Sequence, residues 1–187
     1  LRANSLEEAF DWARALASGR FPEGNRVVIV TNGGGAGVLT TDACEASGLK
    51  VADPPEELKQ ELRRFMPEFG SAENPVDLTG VAGEEQFRGA MKVALSHQAF
   101  DCGIGLYCET AVTDPMKVAE AFLDAYETVR KPMVVAMIGG SRVDEALDFL
   151  NGEGLPSYPD VNRAVSALSA LVKWSLRRRI LASTYSF

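Results

Sequence analysis

The stretch from Arg26 to Asp42, RVVIVTNGGGAGVLTTD, constrains the fold more than any other part of the chain. Arg26-Val-Val-Ile-Val-Thr31 is a continuous β-branched run, the pattern of a strand buried on both faces. Such a strand needs a covering layer on each side, so an isolated hairpin or an open antiparallel sheet is excluded. The run leads into four glycines within five positions, Gly33, Gly34, Gly35 and Gly37. A helical pattern then extends from Gly37 to Ser47, and Gly48 ends it as the expected left-handed residue. Glycines remove the Cβ atoms that keep a ligand off the backbone, and several can adopt positive φ. A helix N-terminus directly after them offers unpaired N–H groups and a positive dipole end. Asn32, Gly33, Gly34, Gly35, Ala36 and Gly37 therefore read as an anion cradle at the carboxyl end of a central strand. The competing reading is a tight turn that only lets the helix pack on the sheet.

The rest of the chain repeats the alternation. Further strand candidates are Leu49 to Ala52, Phe100 to Tyr107, Pro132 to Ile138 and a short edge piece, Gly154 to Tyr158. Gly103 and Gly105 weaken the second of these, and Pro156 suits an edge. Helical patterns begin at Leu6 behind a Ser5/Glu8 capping box, and cover 55–65, 84–96, 115–129, 143–150 and 161–176. Five strands alternating with helices imply βαβ units, hence a three-layer α/β/α domain with a mostly parallel sheet. The expected organisation is a lead-in helix over 1–25, one α/β domain over 26–176 and a basic tail over 177–187. The chain opens on Leu1, which suggests a piece of a longer polypeptide.

Composition narrows the function. With 46% hydrophobic residues the chain of 187 residues is too apolar to be disordered, and its charges interrupt every apolar stretch before it could span a bilayer. A net charge of −7 argues against nucleic acid and anionic membranes as partners. Three cysteines, Cys44, Cys102 and Cys108, without a CxxC pair, suit reduced thiols in the cytoplasm, and no metal-ligand cluster stands out. Three motifs fail at the glycine loop. A dinucleotide fingerprint needs a small residue where Val38 stands, although Asp53 does follow the second strand. A Walker loop needs a lysine that is absent, and no G-x-S-x-G elbow occurs.

Val30-Thr-Asn-Gly-Gly-Gly-Ala-Gly-Val-Leu-Thr-Thr-Asp42 resembles the signature of the CoA-ligase domain of NDP-forming acyl-CoA synthetases, relatives of succinyl-CoA synthetase. Glu73-Asn-Pro-Val-Asp-Leu78, Lys131 to Gly140, Gly154 to Tyr158 and Asn162 to Leu168 match in order, so the resemblance runs from about Leu6 to Trp174. It implies a flavodoxin-like fold and a share in the reaction acyl-CoA + NDP + phosphate ⇌ acid + CoA + NTP, which passes through a phosphorylated histidine. By resemblance, the cradle amides stabilise the phosphoryl group, with Asn32 adding a side-chain donor. The complete enzyme would be an oligomer using CoA, ADP or ATP and Mg, with a CoA-binding Rossmann domain and an ATP-grasp domain as partners. None of these cofactors is expected on this domain alone. The family's histidine lies in a Ser-His-Thr-Gly motif elsewhere. His97, in Leu95-Ser-His-Gln-Ala-Phe-Asp101, lacks that context and reads as a capping or surface residue, so no catalytic side chain is expected. A regulatory or scaffold role, as in synthetase-like protein acetyltransferases, is the alternative.

Three residues mark a possible active-site rim: Asn74, Asp77 and Glu109. Asn74 before Pro75 is equally a turn former. Glu109 could orient a histidine from a neighbouring domain, or simply face water. Ile138-Gly-Gly-Ser141 is a second candidate anion site or a close-packing device. Arg177-Arg-Arg179 fits a solvated helix end.

Overall fold

The computed structural model describes residues 1–184. Its central layer is a parallel sheet of β1 (Arg26–Thr31), β2 (Lys50–Val51), β3 (Val76–Asp77), β4 (Cys102–Cys108), β5 (Met133–Ile138) and β6 (Ser157–Tyr158). The strand path runs β2-β1-β4-β5-β6, reversing direction between β1 and β4. Alternate residues of β1 serve opposite faces, as a doubly covered strand requires. Val28 and Val30 pack with residues of α3 (Glu56–Leu62), α4 (Glu84–Ser96), α5 (Pro115–Val129) and α6 (Ser141–Gly152). Val27 and Ile29 pack with residues of α1 (Leu6–Ala17), α2 (Gly34–Ala46) and α7 (Val161–Thr184). Each of these four β1 side chains is fully buried, worth roughly 1.5–3 kcal/mol apiece. No helix among the described residues is long and apolar enough to cross a membrane.

The structure departs from the sequence reading in four places. The sheet has six strands rather than five, because two-residue β3 pairs with Val30 and Thr31 on the edge of β1 that β2 uses at Arg26 and Val27. α2 begins at Gly34, not Gly37, with Gly33 extended as its cap. None of the cradle glycines has positive φ; that conformation falls at Gly19, Gly48 and Gly154. The segment expected as a basic tail continues α7 to Thr184, while 185–187 lie outside the described residues. There Arg178 stacks over the Phe21 ring and Arg179 donates to the carbonyls of Pro22 and Glu23, so these arginines clasp the link between α1 and β1.

The glycines of β4 have a packing cause. A Cβ on Gly105 would stand 2.6 Å from the Phe122 ring, and one on Gly103 2.9 Å from Leu95 and Met91. Helices α4 and α5 approach the sheet closely because these side chains are missing.

Candidate functional site

Open α/β sheets hold ligands outside the carboxyl ends of their strands, where the strand order reverses. Here that point lies between β1 and β4. Asn32, 4% exposed, bridges it: its Nδ2 donates to the carbonyl of Cys108 at 2.9 Å, and its Oδ1 accepts from the Cys108 N–H at 2.8 Å. The side chain expected to face an anion instead extends the β1–β4 ladder by one rung. Thr31 Oγ1 accepts from the Gly33 N–H at 3.0 Å and fixes the chain as it leaves the strand.

α2 then starts without a side-chain cap, and its first turn carries no acidic residue. The N–H of Gly37 bonds within the helix to Gly33, whereas those of Gly34, Gly35 and Ala36 have no partner among the described residues. The four glycines differ in what surrounds them. A Cβ on Gly33 would meet Cys108 Sγ at 2.9 Å, one on Gly34 would meet Asp77 Oδ2 at 2.8 Å, and one on Gly37 would meet Pro75 and Thr31 at 3.2 Å. Nothing lies within 4 Å of the Cβ position of Gly35. Three glycines therefore admit neighbouring segments, and one leaves open space. That space adjoins free N–H groups at the positive end of a helix dipole, so the loop can receive an anionic oxygen from the Gly35 side.

Asp77 lies at this edge and Asn74 does not. Asp77 Oδ1 accepts from the Thr79 N–H at 2.9 Å, while Oδ2 borders Gly34. Asn74 is turned inward, with Oδ1 accepting from the Ile29 N–H at 2.9 Å and Nδ2 donating to the carbonyls of Val27 and Ala52 at 2.8 Å each. Glu109 is at the edge but engaged, its Oε2 accepting from the Gly140 N–H at 2.8 Å and its Oε1 3.9 Å from Arg142. The protein's own carboxylate thus occupies the start of α6, where Ile138-Gly-Gly-Ser141 had suggested a second anion site. His97 closes α4 far from this edge, and its Nδ1 accepts from the Ala99 N–H.

Sequence reasoning missed Thr79 and Cys108. Thr79 has φ of 70°, and its buried hydroxyl has no hydrogen-bond partner; only the Asp77-x-Thr79 spacing, which permits an Asx turn, hinted at it. Cys108 backs Gly33, and burial together with the charge of Asp77 pushes its thiol pKa upward. A cavity of about 510 Å³ at the opposite edge of the sheet is lined by Arg26, Asp101 and Lys131, among others. Arg26 and Asp101 pair with each other there, and Lys131 donates to the carbonyls of His97 and Phe100. The described residues contain no group of three His, Cys, Asp or Glu side chains able to hold a metal ion.

The family model of the Ligase-CoA domain matches residues 27–182. The chain is 51% identical over 177 residues to the acetate–CoA ligase (ADP-forming) I subunit alpha of Pyrococcus furiosus, covering 94% of this chain and 38% of that one. It is 33% identical to acetate–CoA ligase (ADP-forming) I of Archaeoglobus fulgidus, covering 94% of this chain and 24% of the relative. Among solved structures, an acetyl-coenzyme A synthetase 1 of Ca. Korarchaeum cryptofilum in complex with phosphate and ADP superposes with a TM-score of 0.92 at 41% identity. The match covers 100% of this chain and 41% of that one. The chain therefore spans well under half the length of these relatives.

Proposed function

The chain belongs to the Ligase-CoA domain family, and on that premise we propose that it serves as the phosphate-handling ligase domain of an NDP-forming acyl-CoA synthetase. The observation that carries this reading is the uncapped first turn of α2, with Gly35 facing open space. When a phosphoryl group passes between phosphate, acyl phosphate and a histidine of a neighbouring domain, its non-bridging oxygens gather charge. The N–H groups of Gly34, Gly35 and Ala36 are fixed in direction before the reaction begins and need no reorganisation to meet that charge. Asn32 and Thr31 hold the loop; they do not touch the ligand. Asp77 bars approach from the Gly34 side, which leaves the Gly35 side as the way in.

Exposed apolar side chains collar the same edge of the sheet: Val38 and Leu39 on α2, Val81 before α4 and Val112 before α5 are 58–74% exposed. Such a collar suits a protein surface that presents the phosphoryl group and excludes water from it. CoA and nucleotide sites belong in this reading to partner domains, a CoA-binding Rossmann domain and an ATP-grasp domain, in a cytoplasmic oligomer. Mg²⁺ in this reading accompanies the nucleotide, and the described residues gather no group of three His, Cys, Asp or Glu side chains that would hold it here. By itself the chain completes no turnover.

Gly35→Ala in the full-length enzyme tests the reading. The added methyl touches nothing in the fold and favours the helix by up to about 1 kcal/mol, so stability is expected to hold or rise. Acyl-CoA-dependent NTP formation is expected to fall at least tenfold, with a raised KM for phosphate. Wild-type turnover and phosphate KM in this variant would sink the proposal.

A further inference from the structure

We infer that Asn74 is a positioning residue for the cradle, acting from behind it through Pro75 and Gly37. This inference rests on the phosphate-handling reading of the α2 N-terminus. One edge of β1 is paired twice, by β2 at Arg26 and Val27 and by β3 at Val30 and Thr31. At the interval between the two short strands, the Asn74 side chain takes the place of a peptide unit. Its oxygen accepts from the Ile29 N–H as a strand carbonyl would, and one of its N–H groups donates to the Val27 carbonyl as a strand amide would. Its second N–H reaches the Ala52 carbonyl just past β2. Both donors and one of the two acceptor lone pairs of the amide are occupied, and no other side chain of similar length offers a carbonyl acceptor and two donors.

The consequence falls on the next residues. With Asn74 fixed to β1, Pro75 stands where a Cβ on Gly37 would be 3.2 Å away, and Asp77 stands where one on Gly34 would be 2.8 Å away. Both touch the first turn of α2, so the backbone that Asn74 anchors forms the wall against which the cradle helix rests. The amide donors are useful only if aimed at the phosphoryl oxygens, and displacement of about 1 Å can cost two orders of magnitude in rate. Asn74 touches no ligand in this arrangement; it sets the aim of groups that do.

The test uses the full-length enzyme and follows each substrate separately. In Asn74→Asp the second carboxylate oxygen faces the Val27 and Ala52 carbonyls, so the wall shifts. The KM for inorganic phosphate is expected to rise about tenfold or more, while the KM for NDP stays within twofold of wild type. A residue that only stabilised the fold would lower the active fraction and leave every KM unchanged. Should Asn74→Asp fail to fold, Gly37→Ala probes the same contact from the helix side. It pushes α2 off Pro75 by tenths of an ångström without removing a ligand donor, and the phosphate KM is again expected to rise. Gly35→Ala separates the two ideas. If it raises the phosphate KM and the folded Asn74 or Gly37 variant does not, the positioning role is overturned and the cradle stands. If Gly35→Ala also leaves the phosphate KM unchanged, the cradle reading itself fails.

Discussion

Arg26 and Asp101 join the starts of β1 and β4 through four hydrogen bonds, one from the Asp101 N–H to the Arg26 carbonyl and three to the Asp101 carboxylate. The Arg26 backbone N–H and Nε reach Asp101 Oδ2 at 2.9 and 3.0 Å, and Nη2 reaches Oδ1 at 2.8 Å. The guanidinium hydrogen bond holds the Asp101 carboxyl below the usual carboxylate range, against the opposing effect of burial. A carboxyl whose folded pKa is depressed contributes stability that is present above its unfolded value of about 3.9 and is lost as pH falls through the folded one. Asp101→Asn is therefore expected to unfold at lower urea concentration than wild type at pH 7, and the gap is expected to narrow as pH drops below about 4. Equal gaps at both pH values, read from urea midpoints, would contradict this account. Phe100-Asp101 was visible in the sequence as the lead of a strand, but the partner of Asp101 was not, because pairing across 75 residues leaves no local pattern.

At the scale of elements, what could be read depended on length and side chains. β1 was legible because six consecutive residues carried the pattern, whereas β3 has two residues and exists through Asn74 and its pairing to Val30 and Thr31. The start of α2 was misplaced by three residues because Gly34 and Gly35 carry no side chain to signal a helix. The glycine loop was legible as a loop, yet its inner logic was not: Asn32 faces Cys108, and three glycines make room for Cys108, Asp77, and Pro75 with Thr31. In β4 the glycines looked like a weakness and prove to be a fitting, Gly103 for α4 and Gly105 for α5. Gly105→Ala is expected to destabilise the fold by about 1–3 kcal/mol, the usual cost of overpacking, since the new methyl meets the rigid Phe122 ring. Thermal unfolding measures this, and an unchanged midpoint would show that Phe122 can yield.

For the molecule as a whole, one helix lies ahead of the residues that the family model matches and still belongs to the fold. α1 precedes residue 27 but rests on α7 through Asp11, 3% exposed, which receives two hydrogen bonds from Arg163 at 2.7 and 2.8 Å. Trp12 donates to Ser166, and the Tyr158 hydroxyl donates to the Asp11 carbonyl. Asp11→Ala leaves Arg163 partly unpaired at a packed interface. The expected loss is about 2–3 kcal/mol, below the ~3–5 of a fully buried pair because Arg163 is nearly a third exposed. Hydrogen exchange should show α1 loosening before the sheet, and simultaneous exchange of both would argue against a separable strap. The different surroundings of the four loop glycines also have a meaning for heredity. Changes at Gly33, Gly34 or Gly37 are filtered first by folding, since each must be answered by an adjustment at Cys108, Asp77 or Pro75. Gly35 meets no such neighbour, so a side chain added at this one position is weighed by helix propensity and by whatever approaches the loop from outside, not by packing within the fold.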